Sequence, residues 1–489
     1  MELHAPSHFH SLDSGLNDKD PGPIQGTNMK IDLKLSTFLV AGASALALTT
    51  ASSDAQDTLS KQPGIVAGAE QMRLLMSTLQ NRELIELTEC DTVLATIPFK
   101  DIGATFDLLI DNFAPEGSSS YLKLIFAQKI NYGVQVIKAC ASCDEVLASS
   151  PDLAASYADN EAFNRYCGED VYGYHILHSG LIMYPLVEDG SIKDGTLPGY
   201  IYSRPSKVSI FDGPSETFRF MTNEDFLFGF LATMANGAAS IAPDFFGYGS
   251  SEAFRGYIVR DTYVIATLPL WLKLGSFLSG VTDCKTALAD AAFYLGYSEG
   301  GYASVAIADG LHNALGVEPL LVMAGAGPYR IKDATLMQAI VSVDAGATED
   351  SDNYIAALLG ASYTDKNPSL AIGVGQSLLS NAFMNPNDLD NNVFQWFADN
   401  LNQTEVNSKL ANYEPSQIDY LWNITLVTFL RDAIANNVTN PCDESYSRYE
   451  VGVNDEFCAA LAQNDLIEVL ENVQYPVQLC HSADDELVS

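Results

Sequence analysis

Apolar residues recur at helical spacing over positions 72–87 and again over 106–126, so residues 56–130 read mostly as helix. From 131 to 139 the pattern changes to the β-branched text of a strand, and strand text returns over 172–185, with a cysteine-bearing loop between the two. A short β-rich run, 199–203, is ended by Arg204 and Pro205, and 206–216 reads as loop. Thr222 or Asn223 then caps a helix whose Phe226, Phe230, Leu231 and Met234 share one face and which closes at Asn236 and Gly237. A strand at 238–242 follows, then a helical stretch at 257–278, a strand at 291–295, a helix at 302–315 and a strand at 320–324. Strands alternating with helices in this way predict an α/β fold, a mostly parallel sheet with helices on both faces.

That rhythm breaks at 331–465, where the text is helical and rich in Asn and Asp, and resumes at 477–480, an apolar strand preceded by Pro476. The organisation expected is a helical extension (56–130), a core (131–330), a helical cap inserted between late strands (331–465) and a last core strand with its loop (466–489). Residues 29–55 read as a secretory signal peptide, with Lys30 and Lys34 at its start, an apolar stretch at 38–48 and the small-residue site Ser53-Asp54-Ala55. Its apolar run is shorter than the ~20 residues a membrane-spanning helix needs. Residues 1–28 are polar and read as a spurious or disordered extension, so the protein is expected to be secreted.

Charge narrows the partners. The chain carries 62 Asp and Glu against 25 Lys and Arg, a formal charge of −37, with no basic block. Such a surface repels nucleic acid and anionic head groups, which excludes nucleic-acid binding and leaves at most transient contact with a lipid interface rather than stable membrane insertion. Nothing in the sequence speaks to oligomeric state. In an oxidising compartment the eight cysteines are expected to form bridges. Cys442 and Cys458 are a close pair in polar text. Cys140 and Cys143 form a CxxC with no second CxxC, which favours structural bridging, with Cys167 as a candidate partner. Cys284 and Cys480 lie beside apolar segments and are expected to be buried thiols. Acceptor sequons stand at Asn402, Asn423 and Asn437.

The chemistry centres on Gly296-Tyr297-Ser298-Glu299-Gly300, which is the one G-x-S-x-G of the chain and lies between a strand and a helix. A Cβ at Gly296 or Gly300 would collide as strand turns into helix, and Ser298 would take a strained backbone that lifts its hydroxyl clear of the sheet. The amides at the start of the following helix point to where an oxyanion would form, so Glu299 is expected to supply one donor. Ser203 or Arg204, after the 199–203 strand, would supply the other; Pro205 has no N–H. A serine nucleophile needs a base and a carboxylate to orient it, in the chain order serine, acid, histidine. The segment after the last strand, Cys480-His481-Ser482-Ala483-Asp484-Asp485-Glu486-Leu487-Val488-Ser489, offers the acid.

This segment resembles the H-G-x-x-D-E-x-V-P of α/β-hydrolases of the secretory lipase family, with Ser482 and Ser489 replacing Gly and Pro. Ser179-Gly180-Leu181 through Pro185, Ala242-Pro243-Asp244-Phe245-Phe246-Gly247-Tyr248-Gly249 and Gly325-Ala326-Gly327-Pro328-Tyr329 resemble further segments of that family. The resemblance covers roughly residues 130–489. It implies an α/β-hydrolase fold, a lipase or carboxylesterase acting on ester or lipid substrates, a cap that lids an acyl pocket, and Asp485 as the acid with Asp484 as its neighbour and rival. Two departures stand out. The family's oxyanion strand usually ends in His-Gly, where this chain has Tyr202-Ser203-Arg204, so substrate preference does not carry over. No histidine follows Asp485, and none of the seven histidines suits the base: His4, His8 and His10 precede the signal, His175 and His178 lie on an early strand, His312 is buried in or beside a helix, and His481 ends the acid's own strand. The base is therefore expected beyond residue 489, and the chain as it stands is expected to be nearly inactive. A serine peptidase of the same fold and an inactive hydrolase-fold binding protein remain as alternatives. No cofactor is expected: the chain has no H-E-x-x-H, P-loop or dinucleotide fingerprint, and the acidic stretches at 349–352 and 385–392 lack the glycine and distal glutamate of a calcium loop.

Overall fold

The computed structural model describes residues 87, 89–103, 131–167, 176–217, 225–251, 253–337, 340–341, 353–367, 378–384, 388–411, 421–438, 440–442 and 455–481. The extension at 1–28, the expected signal peptide at 29–55, His175, Thr222, Asn223, Asp484 and Asp485 lie outside the described residues.

Among the described residues eight strands form one sheet: β1 (Thr92–Ile97), β2 (Gly133–Ala141), β3 (His178–Leu186), β4 (Gly195–Ser203), β5 (Ala239–Pro243), β6 (Thr286–Tyr297), β7 (Glu318–Gly325) and β8 (Val477–Cys480). Their order is β1-β2-β3-β5-β4-β6-β7-β8. The pairs up to β3–β5 are antiparallel and those from β5 through β8 are parallel. The α/β reading and the position of the strands from β2 onward agree with the sequence pattern. β1 corrects it, for it falls inside the stretch read as helical. Its β-branched Thr92, Val93, Thr96 and Ile97 pair along β2, and tertiary pairing decides the conformation of so short a run.

A second correction concerns 143–167, which is three short helices rather than a loop: α1 (Cys143–Ser149), α2 (Pro151–Tyr157) and α3 (Glu161–Cys167). Ser142 caps α1 by accepting the Glu145 N–H at 3.3 Å, and Pro151 opens α2, where its missing N–H costs nothing. The Cys143–Cys167 bridge closes this unit, Cys90–Cys140 ties the approach of β1 to β2, and Cys442 pairs with Cys458. Cys480 is a half-buried free thiol, whereas Cys284 is exposed, contrary to expectation. It sits at a φ of 63° in the turn before β6, outside the apolar text that follows it.

One α-helical turn, Pro214–Thr217, ends the segment 206–216 that reads as loop; the longer helices are α4 (Asp225–Asn236), α5 (Arg260–Val281), α6 (Glu299–Leu315) and, in the inserted region, α7 (Asn353–Lys366), α8 (Val393–Ala398), α9 (Gln403–Leu410), α10 (Ile424–Ala435) and α11 (Asp455–Asn464), with α12 (Ile467–Asn472) leading to β8. The asparagine richness of the insertion has a local cause: Asn392, Asn402 and Asn423 cap α8, α9 and α10 through their side chains. By length and composition α5 could cross a membrane, but Val264, Leu268, Leu270, Leu274 and Leu278 are buried within the fold, as in a core helix.

The topology sets the site. From β4 the chain passes through α4 to β5 on one side, then crosses through α5 to β6 on the other side of β4 and continues through α6 to β7. Connections therefore diverge from the gap between the C-terminal ends of β4 and β6, the switch point at which open α/β sheets leave a crevice. Ser203 is in register with Gly296 there, two residues before Ser298.

Beside the crevice the sheet carries α5 at close range. A Cβ on Gly199 of β4 would lie 2.4 Å from the buried Trp271 ring and 3.1 Å from Ala292 Cβ. Gly199→Ala is expected to lower unfolding stability by about 1–3 kcal/mol through overpacking. The check is the urea unfolding midpoint; an unchanged midpoint would mean that the indole shifts freely.

Candidate active site

β6 runs into α6 with a single residue, Ser298, between them, at φ 57° and ψ −122°. A positive φ at a non-glycine residue costs on the order of 1–3 kcal/mol and persists only where its surroundings over-determine it. Here the surroundings are three backbones. A Cβ on Gly296 would lie 2.0 Å from Gly300 O, one on Gly300 would lie 2.0 Å from Ser203 O, and one on Gly301 would lie 2.4 Å from Gly325 O. The Ser298 N–H donates to Gly325 O at 2.8 Å, which fixes the elbow to the end of β7. Both glycines singled out in the sequence are thus required, and Gly301 is a third.

A serine at the start of a helix ordinarily spends its hydroxyl on capping. Ser298 makes no side-chain capping bond. Ser298 is left partly exposed, and α6 keeps its first amides for an acceptor from outside. Glu299 and Ser203 are brought beside Ser298 by the elbow and by the β4–β6 register. The Ser203 hydroxyl is buried without a hydrogen-bond partner among the described residues.

Sequence patterns missed the charges packed behind this elbow. Glu299 is buried; its Oε1 accepts from the Tyr263 hydroxyl at 2.9 Å and its Oε2 lies 3.7 Å from Arg204 Nη1. Burial raises the Glu299 carboxyl above its ordinary 4.5, while the Arg204 guanidinium and the Tyr263 hydroxyl pull it down. Arg204 is fully buried, stacks on Tyr248 at 3.8 Å and donates to Pro205 O at 2.9 Å. Next to it the buried Asp244 accepts from Ser179 Oγ and Ser215 Oγ at 2.5 Å and from Ser215 N at 2.8 Å. Burial raises its pKa and these bonds counter it. Lys138 and Glu216, both without exposure, pair at 2.5 Å, and Lys138 also donates to Ser250 at 2.7 Å. For Arg204, Asp244 and Glu299 the signal was a charged residue just past an apolar strand, and for Lys138 a charge inside one, but neither gives a spacing rule that would pair them.

The described histidines do not meet Ser298. His178 begins β3, three strands from β6 or about 14 Å away at the usual strand spacing. It is fully buried against Phe246, with its pKa lowered to about 3 by burial and then by Lys366. His312 lies near the end of α6, roughly 20 Å along the helix from Ser298. It is half exposed rather than buried as expected, and its Nδ1 lies 3.2 Å from Val317 O. His481 follows β8, two strands from β6 or about 10 Å away, and is exposed. Among the described residues no cluster of three His, Cys, Asp or Glu side chains forms a metal site.

The Arg204–Glu299 pair makes a direct prediction. Arg204→Met strands a buried carboxylate and is expected to cost about 3–5 kcal/mol at neutral pH. Without the guanidinium the folded-state pKa of Glu299 rises further, so the loss is smallest below pH 4.5, where the unfolded state is also protonated, and grows as pH rises. Urea unfolding of Arg204→Met against the wild type from pH 4 to 8 checks it. A loss that shrinks with rising pH would contradict the pairing.

No protein-family model matches the chain, and no curated protein matches its sequence. Solved structures do. The rice cell-wall-degrading esterase LipA from Xanthomonas oryzae is 17% identical, with a TM-score of 0.54, and the match covers 82% of this chain and 84% of that one. Its ligand-bound form gives the same identity, coverage and TM-score. A Legionella pneumophila protein described as a hydrolase is 13% identical at a TM-score of 0.48, covering 82% of this chain and 94% of its own. With its sheet order and serine elbow at the switch point, the chain has the α/β-hydrolase fold.

Proposed function

We propose that the protein is a secreted serine hydrolase of carboxylic esters, of the lipase and carboxylesterase type. The observation that carries this reading is Ser298 itself, held at a positive φ with its hydroxyl withheld from helix capping beside the unspent amides of α6. Similarity to an esterase of the same fold supports esters over other acyl substrates. In this reading Ser298 Oγ attacks the acyl carbonyl and its proton passes to a histidine. The tetrahedral oxyanion is held by the Glu299 amide and by an amide of Ser203 or Arg204. The proton then goes to the departing alcohol as the C–O bond breaks, leaving an acyl-enzyme that water cleaves by the same steps in reverse. Asp485 is the carboxylate that orients the histidine. The substrate is an ester or lipid, no cofactor takes part, and lipid contact is transient.

The test uses the purified protein. It should turn over p-nitrophenyl acyl esters and become labelled at Ser298 by a fluorophosphonate, and Ser298→Ala should lose both, with a fall in kcat on the order of 10³-fold or more. Turnover of aminoacyl amides alone would make it a peptidase of the same fold. No labelling and no turnover of either substrate would make it an inactive binding protein.

A further inference from the structure

We propose that Asn400, in the helical insertion, is a positioning residue that holds the loop after β4 in the geometry in which it donates to the oxyanion; this rests on the hydrolase reading above. The loop, residues 204–212, is irregular apart from one turn of 3₁₀ helix at Ile210–Asp212, so it cannot satisfy its own backbone as a strand or helix would. Its own Asp212 carboxylate accepts from the Val208 and Ser209 N–H groups and its Ser209 hydroxyl from the Phe211 N–H, and groups within and outside the loop take up its carbonyls. Arg204 donates to Pro205 O, Tyr248 donates to Lys207 O at 2.5 Å, and Arg255 donates to Val208 O. Gly249 N–H donates to Ile210 O at 2.8 Å. Ser206 Oγ and the Tyr257 hydroxyl are hydrogen-bonded at 3.0 Å, and a further anchor is Asn400, whose Oδ1 accepts from the Ile210 N–H at 2.7 Å and from Ser209 Oγ at 3.0 Å.

Among the described side chains that anchor 204–212, Asn400 is the one contributed by the insertion. It lies in the turn between α8 and α9 at a φ of 58°, a conformation that asparagine tolerates and most residues do not. That turn is itself fixed: Asn400 N–H donates to Phe397 O at 3.2 Å, and the same carbonyl accepts from Arg255 Nη1 at 3.3 Å. Arg255 thus bridges the insertion and the loop, stacking on Phe397 and Tyr248 while donating to carbonyls of both. The far end of the loop is held on the core by Asp244 through Ser215. With both ends and the middle fixed, a shift of Asn400 is passed to the segment that begins at Ser203 and Arg204.

Two substitutions isolate the amide acceptor from the backbone strain. Asn400→Gly keeps the positive φ and removes Oδ1; Asn400→Asp keeps both. Asn400→Gly is expected to lower kcat on p-nitrophenyl butyrate about tenfold with KM changed less than twofold, since a misplaced donor is felt in the transition state more than in binding. It should slow fluorophosphonate labelling of Ser298 to the same degree and speed amide exchange in the peptide covering 208–212. Asn400→Asp should restore most of kcat and of the protection. Accelerated exchange with unchanged kcat and labelling, or a loss that Asn400→Asp shares in full, would overturn the proposal. A wild type that neither labels nor turns over ester overturns the hydrolase reading, and this inference falls with it.

Discussion

Three stretches of backbone meet at Ser298 more closely than side chains would permit. The carbonyls of Ser203, Gly300 and Gly325 occupy the places where the Cβ atoms of Gly300, Gly296 and Gly301 would stand. Neither neighbour of the elbow can yield. β6 is paired on both sides, and α6 is buried along Tyr302, Val305, Ile307 and Leu311. Burying such side chains stabilises the fold by roughly 1.5–3 kcal/mol each, so the one strained residue between them is outweighed several times over. What is distinctive about Ser298 follows: an unusual φ, a hydroxyl that makes no capping bond, and first-turn helix amides with no acceptor within the helix.

The same crowding explains where charge is buried. Strands end at one edge of the sheet, and the segments that leave them are irregular, so their polar groups need partners that secondary structure does not provide. Arg204 with Glu299, Lys138 with Glu216, and Asp244 with Ser179 and Ser215 all serve the segments that follow β4 and β5. Buried pairs contribute little net stability against apolar replacements. Their effect here is geometric, because each accepts few arrangements and excludes the others. The positive φ of Phe245 immediately after Asp244, and of Ala326 after β7, belong to the same edge.

This division accounts for what the sequence disclosed. Regular elements repeat a period, and β2 through β8, α4, α5 and α6 were all legible from spacing, glycine stops and caps. The elbow was legible because close backbone approach demands glycine at fixed offsets from Ser298. β1 was not, since six residues of β-branched text acquire their state from β2. The helices at 143–167 were read as loop although Ser142 and Pro151 mark their starts, because each is too short to show a period. The ion pairs and Asn400 join residues 78 to 190 positions apart or lie at strand ends, where no local pattern links them. Two side chains went the other way: Cys284 and His312 neighbour apolar text but face outward from a turn and from a helix end.

The choice of cation at each buried position follows from shape. Lys138 makes point contacts with Glu216 and Ser250, for which an ammonium suffices. At 204 and 255 the side chain must do two things at once: lie flat on Tyr248, which both guanidiniums reach at 3.8 and 5.0 Å, and donate in its plane to backbone carbonyls. A guanidinium combines a stacking face with a fork of donors; an ammonium has neither. Tyr248 in turn donates its hydroxyl to Lys207 O, so one aromatic ring gathers both arginines and the loop between β4 and α4 into a single unit. The burial is balanced in sign: Arg204, Arg255 and Lys138 leave water together with Glu299, Asp244 and Glu216, so the surface keeps the acidic excess of a chain with 62 acidic and 25 basic residues. Charges of both signs are thus concentrated where the chain is irregular, behind the elbow at Ser298.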